Sequence, residues 1–217
     1  MVDAVLTAAL EELARVGYSA LSVDAVARKA GVNKTTVYRR WPTKASLMIA
    51  AITGALVFDA APQQGTLRDD LLTLTHRLNA WARTPVGSAI LRTLGVELHR
   101  PEVHAMSRAA RLNVKAEWTA AVERAIARGE LPAGTDPDLI FELLTGAIVD
   151  AFVRVTHVVD DRFLAGMVDL VISGAVHGGA VRRRAAPTPA RKRGLIDDAG
   201  GVALLRKRTR PRGLPGT

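Results

Sequence analysis

Residues 8–47 read AALEELARVGYSALSVDAVARKAGVNKTTVYRRWPTKASL, and the fold turns on this stretch. Apolar residues at Val2, Leu6, Leu10 and Leu13, with Val5 and Ala9 beside them, recur at helical spacing and lead into it. Gly17 closes that first helix. Ser22 is a suitable N-cap for a second, short helix with Asp24 in its first turn, where the helix dipole favours an acid. Gly31 breaks this helix near Ala30, Val32 and Asn33 make a tight turn, and Asn33 caps a third helix running to about Trp41. Two short helices joined by a glycine-containing turn form a helix-turn-helix. Val26, Ala27 and Ala30 give the first of the pair one apolar face, and Val37 and Trp41, four apart, give the second its buried side. The other side then presents Lys34, Thr35, Thr36, Tyr38, Arg39 and Arg40, groups that meet phosphates and base edges.

Working outward, Pro42 stops the third helix, and Thr43 opens a longer one expected to reach about Phe58. Asp59 to Gly65 reads as a loop. Five more helices follow: Thr66 to about Arg83, Thr84-Pro85 to about His99, Pro101 to near Arg128, Asp136-Pro137 to about Val159, and Asp160-Asp161 to Gly178. The expected architecture is all-α, about nine helices. An N-terminal three-helix helix-turn-helix domain covers residues 1–55, and a C-terminal helical ligand-binding and dimerisation domain covers residues 56–179.

Composition narrows the function classes. The 217 residues are 48% hydrophobic but only 4% aromatic, with no cysteine, so disulfides, thiolate metal sites and cysteine nucleophiles are excluded. No basic n-region opens the chain, and the longest uncharged apolar run, residues 45–58, is too short to span a bilayer, so a cytoplasmic protein with no membrane partner is expected. The net charge of +9 is concentrated at residues 178–217, where eleven Lys and Arg face two acids. Residues 180–217 are rich in Arg, Pro and Gly with little periodicity, and are expected to be a disordered basic tail.

With its motifs in view, the 8–47 stretch closely resembles the DNA-binding domain of the tetracycline-repressor (TetR) family. The matching positions are Ala8-Ala9, Gly17-Tyr18, Ser22-Val23, Val26-Ala27, Ala30-Gly31-Val32, Tyr38, Trp41, Lys44 and Leu47. The resemblance implies a homodimeric repressor that binds a palindromic operator in double-stranded DNA and is released by a small-molecule effector. It assigns Lys34 and Thr35 to bases, and Thr36, the Tyr38 hydroxyl and Lys44 to phosphates. Arg40, with Arg39 beside it, goes to backbone or base, and Ser22 to the second helix cap and the DNA backbone. Many members carry a basic arm before the first helix, which this chain starts almost upon. A transcriptional activator, an architectural DNA binder of the same fold, and a helical module without DNA binding stand as alternatives.

Beyond residue 58 the sequence carries no catalytic signature. The five histidines show no metal-ligand spacing, and there is no nucleophile elbow or phosphate loop, so neither an enzyme, a metal site nor a cofactor is expected. Large side chains that interrupt a small-residue background are the candidates for an apolar effector pocket: Trp81, Leu94, His99, Met106, Trp118, Phe141 and Phe152. Polar groups there are expected from His76, His99 and Asp150. The last two helices are so apolar that they need burial on more than one side, which points to a four-helix dimer interface. Its expected members include Leu139, Leu143, Ile148, Ala151, Phe163 and Leu170, with glycines 146, 166 and 174 among them.

Overall fold

Local chemistry sets most of the described helix starts. In the computed structural model, which describes residues 1–58, 65–154 and 159–177, the described residues form nine helices and no strand. These are α1 (Val2–Ala20), α2 (Val23–Lys29), α3 (Lys34–Arg40), α4 (Lys44–Ala55), α5 (Leu67–Ala82), α6 (Pro85–Val96), α7 (Pro101–Ala127), α8 (Pro137–Arg154) and α9 (Asp161–His177). The basic tail and the expected 59–65 loop, apart from Gly65, lie outside the described residues, as do residues 155–158.

Side-chain caps explain the starts of α3, α4, α6 and α9. Asn33 accepts from the Thr35 amide at 2.9 Å, Thr84 from the Gly87 amide at 2.9 Å, and Asp160 from the Phe163 amide at 2.8 Å. Thr43 and Ser46 form a reciprocal capping box at the head of α4. Pro85, Pro101 and Pro137 occupy first helical positions, where the missing N–H costs nothing. Gly17 interrupts α1 with φ 75°, a left-handed conformation that a side chain would oppose. Two helices are shorter than expected. α4 ends at Ala55 rather than near Phe58, and α6 ends at Val96 rather than His99. At α4 the exposed Val57 gains no burial that would prolong the helix.

Two apolar clusters organise the body. The first gathers Leu13, Val26, Val37, Leu47, Met48 and Ile52 from α1–α4, and continues without a break into Ile90, Val103 and Met106 of α6 and α7. Helix α6 runs against α1, and α7 against α4. The second cluster surrounds Trp118 with Leu71, Phe141, Leu144, Ile148 and Leu164 of α5, α8 and α9. Ile148 and Ala151, expected on the dimer face, are instead sealed inside this subunit core. They sit on the buried side of α8, and Leu143 and Asp150 are exposed.

Candidate functional site

The helix-turn-helix is built as its sequence requires. Gly31, with φ 66°, makes the turn between α2 and α3, and the Val32 amide reaches the Ala27 carbonyl at 3.0 Å. Val37 is 1% exposed and Trp41 is buried, which fixes the inner side of α3. Lys34, Thr35, Tyr38, Arg39 and Arg40 are exposed on its outer side, and Thr36 is half-buried. The Lys34 ammonium pairs with Asp24 of α2 at 3.0 Å and lies 5.8 Å from the Tyr38 ring. The hydrogen bond to Asp24 raises the Lys34 pKa, so the charge persists at any physiological pH. The Arg40 guanidinium lies over the Trp41 ring at 5.5 Å.

Two residues show a contact pattern that the sequence does not reveal. Ser22 occupies the N-cap of α2 and is exposed, but its hydroxyl makes no capping hydrogen bond. Lys44 donates its ammonium to the Tyr18 carbonyl at 2.9 Å and the Ser19 carbonyl at 3.4 Å, and sits 4.4 Å over the Tyr18 ring. It therefore ties the start of α4 to the end of α1. Burial pushes the Tyr18 phenol above its ordinary pKa, so the ring beneath Lys44 stays neutral.

A cavity of about 250 Å³ lies among α5, α6, α7 and α8. Three of the expected pocket residues, Trp81, Leu94 and Phe141, line it. The other four are not among its described lining residues. Met106 is sealed in the first apolar cluster and Trp118 in the second, Phe152 packs against the second, and His99 is exposed. The polar lining comes from Ser107, Arg111 and Thr145, none of which the sequence reading selected. His76 faces Asp161 at 3.5 Å, and Asp150 pairs with Arg154. A usable signal existed, because Ser107, Arg111 and Val114 share one face of α7 at spacings of four and three.

The cavity touches the N-terminal helices at one point. Leu56, the C-cap of α4, is part of its wall, and Asn113 of α7 donates to the Thr53 and Leu56 carbonyls at 3.0 and 3.2 Å. A second tie joins the α6–α7 corner to the end of α1. There Ser19 donates to Glu97 at 2.6 Å, and Arg100 donates to Ser19 at 3.1 Å.

Residues 5–51 match the family model for bacterial regulatory proteins of the tetR family, and residues 61–171 match that for the tetracyclin repressor-like C-terminal domain. The chain belongs to the TetR family. It is a DNA-binding transcriptional regulator, of a family that regulates rather than catalyses. It is similar to the HTH-type transcriptional regulator AqdR of Rhodococcus erythropolis, 32% identical over 73% of this chain and 76% of that protein. It is also similar to the DNA-binding transcriptional repressor TetR of Mycobacteroides abscessus, 33% identical over 82% of this chain and 94% of that protein. Among solved structures, the TetR family transcription regulator SCO0332 is 29% identical with a TM-score of 0.61, over 79% of this chain and 96% of that one. The regulator FadR of Bacillus subtilis, solved in complex with stearoyl-CoA, shares the fold at 17% identity, with a TM-score of 0.60 over 82% of this chain and 99% of that one. Among the described residues no helix is long and apolar enough to cross a membrane.

Proposed function

We propose that this TetR-family chain is a cytoplasmic, dimeric repressor that binds a palindromic operator through α3 and leaves it when a small apolar molecule fills the cavity. In this reading residues 1–55 bind DNA, and residues 56–179 bind the effector and the second subunit. The reading is carried by the outer side of α3, where hydroxyls and cations stand exposed while Val37 is sealed behind them. Lys34 and Thr35 reach base edges. Thr36, Tyr38, Arg39, Arg40 and Ser22 hold the backbone. An ammonium has three donors, so Lys44 can keep the Tyr18 carbonyl and still take a phosphate.

Arg40→Ala tests the surface. It is expected to weaken binding to operator and random duplex alike, and to lower the slope of log affinity against log salt by about 0.9. Lys34→Ala is expected instead to relax discrimination at one base position per half-site, by about 1–3 kcal/mol. Fluorescence anisotropy across a salt series reads both. Unchanged affinity in both variants would remove α3 from the DNA interface.

Dimerisation through α8 and α9 is supported by what those helices leave uncovered. Leu143 is 50% exposed and Leu170 is 74% exposed. Gly166 and Gly174 of α9 have open space where a side chain would stand, so no described part of the subunit requires them, although each costs its helix about 1 kcal/mol relative to Ala. Close approach of a second copy explains both features, and such a two-fold pair is expected to set its two α3 helices about 34 Å apart on one face of the duplex. Gly166→Leu is expected to leave each subunit folded but to shift sedimentation from dimer to monomer at micromolar concentration. A Gly166→Leu protein that stays dimeric would place the interface elsewhere.

The release step follows from the shared wall. An occupant pressing on Leu56 acts on the end of α4, whose other end is fixed to α1 by Lys44. A coupling of about 1–3 kcal/mol gives roughly 5- to 150-fold weaker DNA binding. The stearoyl-CoA complex of the Bacillus subtilis neighbour supports a small-molecule occupant in this fold.

A further inference from the structure

The cavity wall carries one charge, and that charge suggests the chemical class of the occupant. Among the described lining residues Arg111 alone is ionisable; the remainder are apolar, glycine, or the hydroxyl residues Ser107 and Thr145. The Arg111 guanidinium lies 5.6 Å over the ring of Phe141, itself a lining residue. Its opposite partner is Glu142, which pairs with it but does not line the cavity. Of this pair, then, only the cation is part of the cavity lining. Ser107 stands one helical turn before Arg111 on the same face of α7, half-buried, and also lines the cavity. Thr145 is spent on its own helix, its hydroxyl donating to the Phe141 carbonyl at 2.6 Å.

We infer that the effector is an apolar monoanion, a carboxylic acid or an acid of similar geometry, whose head group is taken by Arg111 and Ser107 and whose tail lies among Leu78, Trp81, Ile90 and Leu94. This rests on the reading of the cavity as the effector site. A guanidinium offers five N–H donors in a planar fork that matches a carboxylate, and Glu142 cannot use them all. An incoming carboxylate therefore joins or replaces Glu142 without leaving the cation unpaired. A cationic ligand would be repelled by Arg111, and a neutral acceptor would gain a hydrogen bond but not the charge-assisted, bidentate pair. Size sets the tail. A cavity of about 150 Å³ holds benzene, or roughly 25 Å³ per heavy atom. The space of about 250 Å³ then suits an acid the size of octanoate.

The test uses the full chain with sodium octanoate, 1-octanol and octylammonium as probes, read by tryptophan fluorescence, since Trp81 lines the cavity, and by thermal shift. Octanoate is expected to bind about tenfold or more tighter than octanol, and octylammonium more weakly than either. Arg111→Gln is expected to erase the octanoate preference and keep octanol binding. Glu142→Gln is expected to widen it, because the competing carboxylate is gone. Both side chains are about half exposed, so neither change threatens folding. Equal binding of octanoate and octanol, or a preference that survives in Arg111→Gln, would overturn the inference, as would the absence of any octanoate signal. Release of promoter DNA by octanoate is measured separately. Octanoate bound through Arg111 without release would uphold the acid site and defeat its role as effector site.

Discussion

Val37→Asp is expected to cost the protein its specific DNA binding, a loss on the order of 10³-fold or more, down to non-specific affinity. Helix α3 is seven residues long, far too short to persist by itself, and it packs on α2. Val37 is its only helical residue in the buried class. A carboxylate there loses the burial of a valine, about 1.5–3 kcal/mol. It also faces Val26 and its neighbours with no partner for its charge, which adds desolvation cost of the same order or more. The helix is then expected to detach while the rest of the chain stays folded, since Trp118 and its surroundings lie in the other apolar cluster. Anisotropy with an operator fragment, beside near-ultraviolet circular dichroism of the tryptophans, separates local from global loss. Specific binding retained by Val37→Asp would show that the buried side of α3 does not hold it in place. Val37→Ile, which conserves the apolar contact, should retain most of the affinity.

Trp118→Ala carries the second large effect, on stability. The indole is 1% exposed and meets the Phe141 ring edge-on at 5.8 Å. It sits where α5, α7, α8 and α9 converge, so its removal leaves a void that none of the four can fill alone. Truncations of this kind cost about 3–5 kcal/mol, against a total stability of about 5–15 kcal/mol for a typical protein. For a chain of this size the melting temperature is expected to fall by roughly 6–20 °C. Phe141 is at once the neighbour of Trp118 and a wall of the cavity, so the void should open toward it. Added indole is therefore expected to restore part of the lost melting temperature, as apolar ligands do in engineered cavities. Leu112→Ala, at a position 65% exposed on the same helix, serves as the control and should stay within about 0.5 kcal/mol of the parent. A Trp118→Ala protein as stable as that control would mean that the second cluster is not the structural centre of the C-terminal helices.

The DNA-binding face was legible early because every feature behind it is local. Gly31 needs a left-handed turn, Asn33 caps within two residues, Pro42 stops a helix, and Val37 and Trp41 share a face at a spacing of four. Such signals depend on neighbours in the chain and survive without a tertiary partner. Lys44 marks the limit even here. Its position was plain, but its bonds to the Tyr18 and Ser19 carbonyls join segments some 25 residues apart and depend on how α1 meets α4.

The cavity was far less legible. Large side chains were selected because pockets are apolar, yet the same property fills cores, and Met106 and Trp118 went there. Which side of α7 faces a void and which faces a neighbour depends on the crossing of α5, α6 and α8, which no periodicity within α7 records. Ser107 and Arg111 carry no comparable signal, because single polar residues on a long helix usually face water. Ile148 and Ala151 went the other way, looking like interface and turning out to be core.

The sequence by itself determined the helices, their caps and the outward chemistry of α3, since backbone hydrogen bonding and helical period act over a few residues. Only the tertiary structure decided where space remains between helices, and that Arg111 is the charge beside it. Voids and ion pairs of this kind arise from packing between segments far apart in the chain, where small differences in crossing geometry choose which side chain is buried and which lines the gap.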